Sequence, residues 1–104
     1  MSEDKGHDQT AEVLDDQIEW SLQDLSTACQ AEEHWVAALV EEGILEPTGQ
    51  GATQWRFSSV SVVRVAQAKR LTNDLDLNPP GVALAMDLLD KIATLRARLK
   101  ALGE

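Results

Sequence analysis

The clearest pattern in this sequence is a series of apolar residues near the C-terminus, spaced alternately three and four positions apart. The series consists of Ala85, Leu88, Ile92, Leu95, Leu99 and Leu102. Such spacing predicts an α-helix with a coiled-coil seam that extends over two to three heptads. The helix is expected to begin near residue 79, because Asn78 suits the N-cap position and proline is favoured at the first helical position.

This predicted helix covers about residues 79–102, and at 1.5 Å per residue it is about 36 Å long. A small domain would not cover that length alone. Two arrangements remain open: the seam packs on the protein's own helices, or it pairs with a second copy. We favour a homodimer formed by the C-terminal helix, with a seam that consists of Leu88, Ile92, Leu95, Leu99 and Leu102.

Residues 21–47 predict a helix-turn-helix. A first short helix begins after Ser21 or Thr27, with Leu22 and Leu25 at helical spacing. A second helix over about 32–42 has an acidic first turn and an apolar stripe, which consists of Trp35, Val36, Leu39 and Val40. Gly43 is expected to end this helix, since glycine adopts the left-handed conformation without steric cost. Two short helices joined by a tight turn form a helix-turn-helix.

The next segment predicts a small β-hairpin. Residues 53–57 alternate in polarity and follow a glycine-rich turn, so they indicate one strand, with Leu45-Glu46 as its expected partner. A hairpin at this place would form a wing. A third helix is then expected from Ser58 or Ser59 to about residue 75. Its valine-rich start leaves a strand through Val65 open, and the continuation favours a helix.

The predicted fold is therefore mainly α: a winged helix-turn-helix with a small β-hairpin wing and a long, coiled-coil-like C-terminal helix. A length of 104 residues fits one domain. We expect a flexible acidic tail at 1–16 and a single domain over 17–104. The polar N-terminus does not resemble a secretory signal, and no apolar run approaches the length of a membrane helix. With a single cysteine, the chain is expected in the cytoplasm.

Charge is distributed unevenly along the chain. The net charge is −9, and residues 1–46 contain thirteen acidic side chains against one basic residue, Lys5. The remaining residues are mildly basic. An acidic half joined to a basic half indicates either a basic partner or ordinary solvation.

No combination of residues in the sequence indicates an enzyme. Cys29 lies among acidic residues, which disfavours a reactive thiolate, and His34 has no cysteine or second histidine at metal-ligand spacing. The carboxylate pairs Asp15-Asp16 and Asp74/Asp76 are typical of solvated acids. Gly49-x-Gly51 lacks the lysine of a phosphate-binding loop. We therefore expect no catalytic residue, no metal site and no cofactor.

Binding to nucleic acid is also disfavoured. The second helix of a helix-turn-helix enters the major groove, and arginine or lysine makes most phosphate contacts. Here residues 32–42 contain four glutamates and no basic side chain. Arg56 is the basic residue of the predicted wing, and Arg64, Lys69 and Arg70 belong to the following helix. The architecture permits DNA binding, but the charge opposes it.

Trp35 and Trp55 each have two interpretations. Both occupy apolar positions of their elements, which is typical of core residues. A tryptophan flanked by acids can also anchor a protein partner. The sequence favours the core for both residues.

Three segments carry a resemblance to a known family. They are Glu42-Gly43-Ile44-Leu45-Glu46-Pro47, Thr53-Gln54-Trp55-Arg56-Phe57, and the stretch from Arg70-Leu71 through Asp76-Leu77-Asn78-Pro79-Pro80-Gly81-Val82-Ala83 to Ile92. The layout resembles the winged-helix family of MerR-type regulators, and more closely the chaperone-modulator proteins of the CbpM type. The resemblance covers about residues 21–102.

The resemblance implies a non-enzymatic protein that binds the J-domain of a CbpA/DnaJ-like co-chaperone and blocks its stimulation of the Hsp70 chaperone. J-domains present a basic helix, which an acidic protein could bind through complementary charge. The resemblance supplies no contact residues. The expected partner-binding residues are chosen instead for exposure on ordered elements, and they are Glu32, Glu33, Glu41, Glu42, Asp74 and Asp76.

Overall fold

The computed structural model describes residues 18–103, and four α-helices account for most of them. They are α1 (Leu22–Cys29), α2 (Glu33–Glu41), α3 (Ser59–Leu75) and α4 (Pro79–Gly103), with a single turn of 3-10 helix at Ala52–Gln54. The prediction of a mainly α fold is confirmed, and the start of α3 is helical rather than extended. The predicted acidic tail lies outside the described residues.

Side-chain caps explain where two of the helices begin. Ser21 is the N-cap of α1, and its hydroxyl accepts a hydrogen bond from the Asp24 amide at 3.0 Å. Asn78 precedes α4, and its Oδ1 accepts from the Gly81 amide at 2.9 Å. Each side chain satisfies an amide that has no partner inside the helix. The boundaries are therefore encoded locally.

Gly43 ends α2 in the way the sequence predicts. Its φ of 80° is left-handed, and its amide donates to the Val40 carbonyl at 3.0 Å. The following amide, of Ile44, donates to the Leu39 carbonyl at 2.9 Å. These two bonds form a Schellman motif, which satisfies the last carbonyls of the helix. The turn directs Ile44 and Leu45 into the core, where 4% and 2% of their surfaces are exposed.

The predicted hairpin wing is not formed by strands within residues 18–103. Isolated antiparallel bridges join Thr48 to Arg56 and Trp20 to Phe57. The predicted pairing with Leu45-Glu46 is wrong, because the residue bridged to Arg56 is Thr48. Leu45 packs in the core. The predicted strand over 53–57 is also too long, since Gly51, with a φ of 80°, leads into the 3-10 turn. The segment is a loop fixed at two points rather than a ladder.

Gly49 in this loop gives a test of backbone geometry. Its φ is +95°, and a Cβ placed on it would lie 2.2 Å from the Gln54 carbonyl oxygen. Gly51 also has a positive φ, of +80°, but a Cβ there would meet no atom within 4 Å. We expect Gly51→Ala to lower the free energy of unfolding by about 1–3 kcal/mol through backbone strain alone, because a φ of 80° with a ψ of 156° is a conformation that essentially only glycine adopts. Gly49→Ala should cost at least about 2 kcal/mol more, because the clash is with backbone.

Urea denaturation of the two variants measures this difference. Gly51→Ala is the control, since it also places a side chain at a positive φ but without the clash. Equal stabilities of the two variants would show that the loop moves freely away from Gln54.

The core lies where the four helices meet the loop. The buried apolar residues are Leu25, Val36, Leu39, Ile44, Leu45, Phe57, Val65, Ala68, Val82 and Met86. Helix α3 crosses the centre and contacts both α1 and α4. The contribution of α4 to the core ends at Met86, and every residue from 87 to 103 is exposed. The second part of α4 therefore extends beyond the body of the domain.

Arg64 of α3 links three parts of the fold. Its Nε donates to the Ile44 carbonyl at 2.8 Å, and its Nη1 lies 3.9 Å from Oδ2 of Asp90 in α4. The guanidinium thus satisfies a carbonyl of the turn after α2 and also faces α4. Its charge is used inside the fold rather than presented to a ligand.

Candidate protein-interaction site

A surface groove lies between the start of α2 and the second half of α3. Its volume is about 250 Å³. We call it the Trp35 groove, and it is lined by Ala31, Glu32, His34, Trp35, Lys69, Thr72 and Asn73. Trp35 is half-buried and packs against the hydrophobic core. The indole is therefore held in place by the core while part of it lines the groove. This agrees with the core interpretation, and the role of a partner anchor stays a prediction.

Lys69 forms one side of the groove and closes the end of α1. Its ammonium donates to the carbonyls of Cys29 and Gln30, at 2.9 and 3.1 Å. The last carbonyls of a helix have no partner within it and carry partial negative charge. Gln30 is in the left-handed conformation, with a φ of 55°. Lys69 thus stabilises this turn of the helix-turn-helix, and its charge is directed at backbone.

The mouth of the groove carries an exposed ion pair. His34 Nε2 lies 3.2 Å from Oε1 of Glu32, and about four-fifths of each side chain is exposed. An exposed pair of this kind stabilises a fold by about 1 kcal/mol at most. Thr72 Oγ1 is buried in the lining and has no hydrogen-bond partner among residues 18–103. Because both side chains are largely in solvent, the contact between His34 and Glu32 can be exchanged for an interaction with a ligand.

All six acids predicted to bind a partner are exposed, but they form two separate groups. Glu32 lines the Trp35 groove and Glu33 follows it. Thr72 and Asn73 line the same groove, which places Asp74 and Asp76 at this end of the domain. Glu41 and Glu42 lie at the opposite end of α2, about 13 Å away at 1.5 Å per residue. The structure thus places four of the predicted residues at one end of the domain and leaves Glu41 and Glu42 apart from them.

The predicted dimer seam is exposed along its whole length. The exposed fractions are 49% for Leu88, 44% for Ile92, 54% for Leu95, 68% for Leu99 and 85% for Leu102. Within residues 18–103 the protein's own helices therefore leave these side chains exposed, and pairing with a second copy stays a prediction. Leu84 and Leu89, at 61% and 53%, extend the exposed apolar surface toward the core. Exposed apolar residues in such a series make this face of α4 a candidate interaction surface.

The basic residues of the helix-turn-helix region are largely occupied within the fold. Arg64 and Lys69 bond backbone carbonyls, and Arg56 Nη1 donates to its neighbour's carbonyl, that of Trp55, at 2.9 Å. Arg70 is exposed on α3. Helix α2 itself has no basic side chain. Helix α2 therefore supplies no cation for the phosphate contacts that DNA binding requires.

Nothing in residues 18–103 forms a recognisable reaction centre. No group of three or more His, Cys, Asp or Glu side chains in this range could hold a metal ion. Burial raises the pKa of the Cys29 thiol, and the Lys69 charge only partly opposes this effect. A thiol with a raised pKa is a poor nucleophile at neutral pH. None of the helices in the same range is long and apolar enough to cross a membrane.

Sequence reasoning missed the groove and the role of Lys69. The groove depends on how α2 and α3 cross, which no local pattern specifies. Lys69 reaches carbonyls about forty positions away in the chain. The available signal for the groove was Trp35 itself, an amphipathic aromatic residue beside two glutamates. The acidic surface, by contrast, follows from composition alone.

Comparison with known proteins gives a consistent result. The profile of the MerR HTH family regulatory proteins matches residues 20–104. A chaperone modulatory protein CbpM of Coxiella burnetii (strain Dugway 5J108-111) is 38% identical over 81 residues, covering 78% of this chain and 76% of the relative. The CbpM of Pseudomonas entomophila (strain L48) is 38% identical over 77 residues, covering 71% and 76%. That of Pseudomonas putida (strain W619) is 35% identical over the same length.

Proposed function

Since this chain belongs to the MerR helix-turn-helix family and, within it, to the CbpM-type chaperone modulatory proteins, we propose that it binds the J-domain of a CbpA/DnaJ-like co-chaperone. Binding would block the J-domain from stimulating the Hsp70 chaperone (DnaK). The protein would act without catalysis, in the cytoplasm, as a single domain over 17–104 that follows an acidic tail at 1–16. The observation that carries this proposal is the acidic, cation-poor exposed surface around α2.

Charge complementarity supports the proposal. J-domains engage Hsp70 through a basic helix, and an acidic surface elsewhere can compete for the same helix. The exposed acids at the two ends of α2 supply such a surface. Complementary charge raises association rates and selects partners, even where each exposed pair contributes little to affinity.

Calorimetric titration of the full-length protein with the isolated J-domain of a CbpA-type co-chaperone tests the proposal. We expect saturable binding that weakens by roughly tenfold between low and physiological salt, because exposed complementary charges are screened. An ATPase assay with Hsp70 and the same J-domain should show loss of stimulation as the protein is added. No binding in either buffer would refute the proposal for this chain.

Charge-reversal variants locate the contact. We compare two double variants. One carries Glu32→Lys and Glu33→Lys at the start of α2, and the other carries Glu41→Lys and Glu42→Lys at its end. Each double variant changes the net charge equally and replaces exposed residues, so the fold should be retained. Binding weakened by one variant and not by the other assigns the interface to that end of the helix. Equal weakening would indicate long-range attraction rather than contact.

A second candidate function is a MerR-like, DNA-binding transcription regulator, which the family profile favours. The occupied arginine and lysine side chains oppose it. Tight, specific binding to duplex DNA at physiological salt would support this alternative.

We also propose that α4 forms a homodimer through its exposed seam. Paired seams bury apolar side chains every three and four residues, as in a coiled coil. The exposure of Leu95, Leu99 and Leu102 supports this proposal.

A further inference from the structure

We propose, on the basis of the proposed function, that the Trp35 groove receives one arginine side chain from the basic helix of the partner. The guanidinium would stack on the Trp35 indole and pair with the Glu32 carboxylate. Binding of this arginine in the groove would select the correct basic partner over other cationic surfaces.

The first support is the preorganisation of Trp35. The indole packs on the core beneath it, yet it lines an open groove. Tryptophan has the aromatic face that attracts cations most strongly, and the attraction increases when water is excluded. A ring fixed before binding loses little conformational freedom on binding. A groove with a fixed aromatic wall therefore suits a flat, weakly hydrated cation.

The second support is the distribution of charge around the groove. Glu32 lies in the lining, Glu33 and Asp74 follow lining residues in sequence, and Asp76 is two residues further. Lys69 is the basic residue in the lining, but its ammonium donates to the Cys29 and Gln30 carbonyls. Its charge is thus partly balanced by the end of α1. The acidic surroundings favour a cation over an anion as the occupant.

The third support is the exposed pair between Glu32 and His34. The imidazole is 3.2 Å from the carboxylate and largely in solvent. An arginine presents two parallel N–H groups that match the two oxygens of a carboxylate, which one imidazole nitrogen cannot do. Arginine is therefore expected to displace His34 from Glu32. Lysine lacks this fork and stacks less well, so it should bind more weakly.

The three tryptophan indole N–H groups provide a direct test. In a ¹⁵N-labelled full-length chain, Trp20, Trp35 and Trp55 give three indole signals, which single Trp→Phe variants assign. On titration with the unlabelled J-domain of a CbpA-type co-chaperone, we expect the Trp35 signal to move. The signal of Trp55, which lies in the loop before α3, should stay in place. A Trp35 signal that stays in place while calorimetry records binding overturns the inference and leaves the proposed function intact.

Matched variants test the energetics. We expect Trp35→Leu and Glu32→Gln each to weaken J-domain binding by about tenfold, since a desolvated cation–π contact and a paired carboxylate are of that order. Trp55→Leu and Glu46→Gln are the controls, and they should bind as wild type does, since Glu46 is exposed and lies outside the groove. Circular dichroism of each variant checks that the fold is retained, and Glu32→Gln, at an exposed position, does not depend on packing. Unchanged affinity in Glu32→Gln contradicts the inference, and absence of binding by the wild type overturns it together with the proposed function.

Discussion

Replacing Leu95 and Leu99 with glutamate is expected to convert the proposed homodimer to a monomer. Both side chains are more than half exposed on the α4 seam and contact none of the core. In a dimer they would be buried against the partner copy, where an unpaired carboxylate is costly. Two such residues in each copy place four carboxylates in one interface, and a cost of about 1 kcal/mol for each amounts to about 4 kcal/mol. The expected shift in the dissociation constant is at least about a thousandfold.

Light scattering coupled to gel filtration measures the result as a halving of the molar mass. Thr94→Glu with Ala101→Glu is the matched control, because it adds the same two carboxylates, with the same net charge change, away from the seam. That variant should keep the wild-type mass. A wild-type protein that is already monomeric at high concentration would refute the dimer, and an unchanged mass in the Leu95/Leu99 variant would remove the seam from the interface.

Phe57→Ala is expected to remove a large part of the stability of the fold. The ring is 1% exposed and lies edge-on to Trp55, with centroids 6.0 Å apart. The Phe57 amide also donates to the Trp20 carbonyl at 2.8 Å, and the Trp20 amide donates back at 2.9 Å. Truncation of a buried phenylalanine costs about 3–5 kcal/mol. A domain of this size is stable by only about 5–15 kcal/mol.

Urea denaturation followed by tryptophan fluorescence measures this loss. Phe57→Leu is the control, since it keeps an apolar side chain and should cost less than about 1.5 kcal/mol. If Phe57→Ala lowers the free energy of unfolding no more than Phe57→Leu does, the ring does not stabilise the contact between the loop and the N-terminal part of the domain.

The helices could be predicted from the sequence because their boundaries are set by neighbouring residues. Ser21, Gly43 and Asn78 each act within four positions through a hydrogen bond or a left-handed φ. The spacing of the C-terminal seam is likewise a local pattern. It predicted a helix over about residues 79–102, and α4 spans Pro79–Gly103. These features need no knowledge of tertiary packing.

The wing and the groove could not be predicted, for one physical reason. Strand pairing and helix crossing both depend on contacts between residues distant in sequence. Residues 53–57 alternate in polarity as a strand does. The residue bridged to Arg56 is Thr48, however, while the expected partner Leu45 is buried in the core. The acids of the candidate site were identifiable as exposed. Their separation into two groups required the positions of α2 and α3.

The end of the core at Met86 has a consequence for how this protein can evolve. Residues 87–103 contribute no side chain to the buried core, so substitutions at their exposed positions carry little folding penalty. Selection on this half of α4 therefore acts through whatever the helix contacts and not through stability of the fold. The proposed assembly and the folding of the core therefore depend on separate stretches of the chain, and the first can change without loss of the second.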